Sequence, residues 1–234
     1  MGDKVNVTYY RYELASAYFR VQKYKEAIKY FREGFELSQS IGDRIAIVRN
    51  LSSMGQAYYE SGDFKSAVDA YEKCIPTQLQ LESDAANKSQ LDPDLFELEM
   101  ALGDAYQRVG NSSKALEAFE AAYSKSKTLQ NLPDQYQALF AIADEYDRQR
   151  KYASAIDYGN QALRLYLNGD KGRSAFAYDR LAVFLSHAKK RDEARNAFKQ
   201  SLKLANAFLM PGHFFSRVCQ LRPDIKITRL IRSK

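Results

Sequence analysis

A chain of 234 residues with 45% apolar and 13% aromatic content can bury a real core, which excludes a disordered chain. No apolar run approaches the roughly 18 residues of a membrane span, and MGDKVNVTYY lacks the apolar stretch of a secretion signal. The net charge of +6 is uneven: residues 210–234 carry Arg217, Arg222, Lys226, Arg229, Arg232 and Lys234 against Asp224, a net +5, so the near-neutral remainder does not point to nucleic acid.

The first predicted helix pair lies around Leu14–Gly34, LASAYFRVQKYKEAIKYFREG, and the same pattern returns four times. It recurs at Met54–Cys74, Leu102–Ala122, Ile142–Ala162 and Leu181–Ser201. In each copy a large apolar residue is followed at once by a small one: Ala15, Gly55, Gly103, Ala143 and Ala182. Twelve positions later stands an alanine: Ala27, Ala67, Ala115, Ala155 and Ala194. Tyr18, Tyr58, Tyr106 and Tyr146 follow the small residue by three, with Leu185 in the last copy. Small side chains at these heights let two helices approach closely, while Leu14, Phe31, Phe119 and Phe198 are expected to fill the space around the crossing.

The second pair is bounded by Gly42-Asp43 and Gly62-Asp63 turns. Between the second and third pairs the spacing lengthens, with an insertion near residues 75–93 that is either a longer helix or a loop. Asp94 and Glu97 read as a capping box for the third pair, and Asp134 with Gln137 takes the same place in the fourth. Gly159 interrupts the fourth copy where the others carry Phe or Tyr. The last copy ends near residue 209, before Pro211-Gly212 and a short apolar stretch suited to cap the final repeat.

These five copies in one register resemble the tetratricopeptide repeat, a pair of antiparallel helices. The near-40-residue period is similar to a longer-repeat branch that includes Partner-of-Inscuteable-type adaptors, kinesin light chains and Rap-type peptide receptors. The resemblance implies an all-α fold: a right-handed superhelical solenoid of about five helix pairs over 1–209, with a C-terminal cap and basic tail over 210–234. It also implies a cytoplasmic adaptor that binds a partner protein or peptide in a concave groove, or a Rap-like receptor whose curvature changes on binding. The oligomeric state is left open.

In this family the first helix of each pair lines the groove. Carried onto the present residues, that gives Tyr12, Phe19, Arg20, Arg49, Gln56, Tyr59, Asp104, Arg108, Phe140, Asp144 and Arg148 as binding candidates. Arg20, Arg108 and Arg148 share one repeat position, and Asp104 and Asp144 stand four residues before two of them, within reach of an ion pair. Such a ladder suits a segment with acidic and apolar residues. Arg229, Arg232 and Lys234 of the tail form a candidate second site for an acidic partner; a membrane partner is not indicated.

Chemistry has little to stand on. There are two histidines, His187 and His213, and no glycine-rich phosphate loop, nucleophile motif or metal-spaced cluster. Cys74 and Cys219 match no redox or zinc spacing and read as inert thiols. Glu97 and Glu99 read as ordinary helix-surface charges. No enzyme, cofactor or metal is expected.

Overall fold

The computed structural model describes residues 2–83, 95–167 and 169–208, and ten helices account for nearly all of them. They are α1 (Gly2–Arg20), α2 (Tyr24–Ile41), α3 (Arg44–Glu60), α4 (Phe64–Ser83), α5 (Leu95–Val109), α6 (Ser112–Thr128), α7 (Leu132–Arg148), α8 (Tyr152–Tyr166), α9 (Lys171–His187) and α10 (Arg191–Phe208). The chain groups into two compact units, Met1–Glu145 and Tyr146–Lys234, with the boundary inside α7. In the first unit α1 packs on α2, α3 on α4 and α5 on α6, while α2–α3 and α4–α5 contacts join consecutive pairs. In the second, α8 packs on α9 and α9 on α10.

The repeat register is what draws the helices together. Ala15, Ala27, Ala67, Ala115, Ala143, Ala155 and Ala182 have no exposed surface, and Ala194 is also buried. A methyl added to Gly55 would come within 2.7 Å of Tyr71 Cε1, and one added to Gly103 would overlap the Phe119 ring. Each glycine of α3 and α5 therefore makes room for an aromatic ring from the second helix of its own pair. Gly159 does the same with a different partner: the nearest atoms to its missing methyl belong to Phe184 of α9, at 3.3 Å.

Helix ends follow the turn chemistry. Asp43 Oδ1 accepts the Ala46 N–H at 2.9 Å, and Asp170 Oδ1 accepts that of Arg173 at 2.9 Å. The residue five before each recurring alanine is left-handed in every pair: Gln22, Gly62, Gly110, Arg150 and Lys189. Only two of those turns use glycine, so the bonds around them hold the other three in a conformation L-residues rarely choose.

Several sequence expectations need correction. Leu14 is 43% exposed and does not fill the helix crossing; Phe31 and Phe119 do. The fourth pair is capped by Asn131, whose Oδ1 accepts the Asp134 N–H at 3.3 Å, so the helix opens three residues before the expected cap. Part of the 75–93 insertion is helix, since α4 continues through Pro76 to Ser83. The remainder, with Asp94, lies outside the described residues, as do the expected C-terminal cap and basic tail.

Because Ala67 and Ala155 are wholly enclosed, leucine at either should overpack its crossing and cost roughly 1–3 kcal/mol. Thermal melts followed by circular dichroism check this; unchanged midpoints for both would place these alanines away from the crossings.

Candidate functional site

The register that buries the alanines leaves an opposite face open in the first unit. On α3, Arg49, Ser52, Ser53, Gln56, Tyr59 and Glu60 recur at three- and four-residue intervals and so share one side. On α5, Glu97, Leu98, Ala101 and Asp104 do the same. Together with Tyr12 of α1 and Tyr71 of α4 they line a cavity of about 400 Å³.

Tyr71 reaches that cavity because Gly55 offers no side chain against its ring. The corresponding positions of the neighbouring pairs hold Phe31 and Phe119. A hydroxyl is thus placed in the wall of this cavity where the repeat otherwise supplies a bare ring. Burial, then the charges of Asp104 and Glu60 among its neighbours, push the Tyr71 hydroxyl well above the usual phenol range. It stays protonated and offers a fixed donor.

Around it the charges are mostly negative. Among the described lining residues, Glu60, Glu97 and Asp104 are acidic and Arg49 is the one cation. The Arg49 guanidinium lies 5.7 Å from the centroid of the Tyr12 ring, and the Tyr12 hydroxyl is 3.4 Å from Ser53 Oγ. Asp104 remains open at the rim, yet loss of surrounding water raises its carboxyl above the ordinary value. Among the described residues no group of three or more His, Cys, Asp and Glu side chains is arranged to hold a metal ion.

Of the sequence-predicted residues, the fold brings Tyr12, Arg49, Gln56, Tyr59 and Asp104 together on this cavity. Phe19 and Arg20 do not line it; Phe19 packs edge-on against Tyr24 at 5.6 Å, and Arg20 is exposed. Arg108 lies 4.6 Å from the centroid of the Phe64 ring, which in turn meets Tyr59 edge-on at 5.3 Å. No ion pair joins it to Asp104 among the described residues, contrary to the i,i+4 expectation. Phe140 is only 6% exposed and packs on Tyr136, so its ring belongs to the core rather than to an open wall. Asp144 falls in the first unit and Arg148, exposed, in the second. Arg229, Arg232 and Lys234 lie outside the described residues.

The second unit contributes a separate polar pair. His187 Nδ1 is 2.9 Å and 2.8 Å from the two oxygens of Asp147, with the Tyr152 ring 6.2 Å away. A single exposed histidine–carboxylate pair, with no nucleophile joined to it in the described residues, sets up no reaction by itself.

One cluster escaped the sequence reading. Glu99 is not a surface charge: it is half-buried, and its Oε2 is closed off from solvent with no hydrogen-bond partner. Burial pushes its carboxyl up to about 7, with Lys125 opposing and Glu82 adding to the shift. Glu82 itself pairs with Lys125 of α6 and accepts the Leu95 N–H at 3.0 Å, joining the end of α4 to the start of α5. The signal was present, since Glu99 shares its repeat position with Leu51 and Leu139, which are 2% and 1% exposed. Cys74, enclosed and hydrogen-bonded to the Val48 carbonyl at 3.5 Å, has a thiol pushed up to about 12 and is chemically quiet.

Residues 5–80 match the tetratricopeptide repeat, and residues 100–170 match it again. This chain belongs to the tetratricopeptide-repeat family. A Podosopora anserina kinesin light chain repeat structure shares the fold with a TM-score of 0.70 at 16% identity, covering 85% of this chain and 94% of that one. The apo form of RapI gives a TM-score of 0.75 at 15% identity, over 96% of this chain and 61% of that one. The Tonsoku-like protein of Danio rerio is 25% identical over 176 residues, 66% of this chain but 12% of that protein. The present chain therefore spans a small part of that curated relative. As a tetratricopeptide-repeat protein it is all-α and built from consecutive helix pairs. None of its described helices is long and apolar enough to cross a membrane.

Proposed function

We propose that this chain is a protein-interaction module that holds an extended or helical segment of a partner protein on the α1–α3–α5 face. The observation that carries the reading is the cavity of about 400 Å³ lined by side chains of three successive first helices and floored by Tyr71. A groove lined by several repeats presents aromatic rings, a fixed phenol donor and charged groups at regular heights. That is what a peptide needs for anchoring and orientation. The lining is built of side chains suited to holding a segment, so binding is the chemistry this reading assigns to it.

The Rap-like alternative, a receptor that changes curvature on binding, would use the same face. Likeness to RapI at 15% identity concerns the fold alone and gives it no separate support.

Filling the groove tests the proposal. Gln56 is exposed, and Ala101 partly so, on the cavity wall, so Gln56→Arg with Ala101→Trp should occlude it without entering the core. Partner capture should fall by at least about tenfold, the ~1.4 kcal/mol expected from losing one well-packed anchor, while the melting midpoint stays within a few degrees. Capture retained at the native level by this folded variant would exclude the groove.

A further inference from the structure

The charge of the cavity selects among segments that could lie in it, and this inference rests on the reading that the α1–α3–α5 face holds a partner segment. Among the described residues that line it, three are carboxylates, Glu60, Glu97 and Asp104, and one is a cation, Arg49. Arg49 is set over the Tyr12 ring at one wall. Arg108, the other cation carried by α5 near this face, rests on Phe64 instead of lining the cavity. We propose that the groove recognises a basic segment of a partner protein, with a lysine or arginine side chain seated between Asp104, Glu60 and Tyr71.

The physical argument is one of complementarity. An acidic segment would bring further negative charge beside Glu60 and Asp104, which is repulsive at close range. Asp104 lines the cavity at its open rim, where an entering cation can pair with it directly. Tyr59, half-buried on the lining, supplies a ring for the methylene stem of such a side chain, while the buried Tyr71 offers its hydroxyl oxygen. This reverses the acidic–apolar partner expected from the arginine ladder, because those arginines do not line the cavity.

The test uses the full chain and two decapeptides, alternating lysine–serine and alternating glutamate–serine, followed by amide chemical shifts. The lysine peptide should move the Gln56, Tyr59 and Ala101 amides, and Glu60→Gln with Asp104→Asn should weaken that binding about tenfold or more. The glutamate peptide should leave the same amides in place, and Arg49→Gln should not weaken the lysine peptide. If the glutamate peptide moves those amides and Arg49→Gln abolishes the effect, the basic assignment is overturned while the groove reading stands. If neither peptide moves them, the assignment is overturned as well, and the groove-filling variant then decides the broader reading independently. A third result would also overturn it: pocket amides that move, with no peptide added, when Arg229, Arg232 and Lys234 are changed to serine. The occupant would then be the chain's own tail rather than a partner.

Discussion

Leucine in place of Gly103 should be the most damaging single change in the first unit. The Phe119 ring already occupies the space that even one added methyl would need, and Phe119 has no exposed surface through which to move away. The substitution forces α5 and α6 apart or the ring off its rotamer, and a cost of about 3 kcal/mol or more is expected. In a chain of this length that corresponds to a fall in melting midpoint of roughly 6–12 °C. Gly62→Ala is the control, since Gly62 has φ +86° but nothing within 4 Å of an added methyl. It should cost only about 1 kcal/mol, the penalty of a left-handed alanine. Equal losses for the two variants would mean that backbone conformation, not the helix crossing, limits both sites.

The second large effect is a dependence on pH set by Glu99. Its carboxyl is raised from 4.5 to about 7 in the folded chain, chiefly by burial. The folded state therefore binds this proton more tightly than the unfolded state. Below about pH 4.5 the group is neutral in both states and costs nothing. As pH rises through about 7 the folded chain must either keep a proton or hold a buried charge, and stability falls; above that the penalty is complete. Glu99→Gln should thus raise the midpoint at pH 8 and change little at pH 4. The difference is at most about 3 kcal/mol, and smaller to the extent that water reaches the group. Melts of both proteins across pH 4–8 give the answer. A wild-type minus variant difference that does not change with pH would show that Glu99 ionises freely. Lys125→Ala should enlarge the effect, because Lys125 is the neighbour that favours the ionised form.

These two sites mark what a sequence can and cannot disclose here. The crossing at Gly103 was legible because close helix approach demands a small residue and the demand repeats at fixed spacing in every pair. The rings that exploit it were less legible: Phe184 of α9 covers Gly159, a partner that the repeat pattern itself does not name. Five of the expected groove residues do converge, because spacing of three and four on a helix fixes a face whatever the partner. The arginine ladder did not translate into a groove wall for a different reason. A long side chain at a given register can lie several ångströms either way, and Arg108 lies on Phe64. Glu99 was misread because a charged residue suggests solvent, while its environment is closer to that of Leu51 and Leu139 than to that of the half-exposed Arg11 at the same repeat position.

The groove itself is tested most directly by photo-cross-linking from a single position. A benzoylphenylalanine placed at Gln56, within the cavity, should join the partner in its native extract, while the same group at the exposed Glu120 of α6 should not. Digestion and mass spectrometry of the adduct should then return a partner peptide rich in lysine or arginine. Cross-links formed from Glu120 and absent from Gln56 would contradict the account and move the binding surface to the second helices.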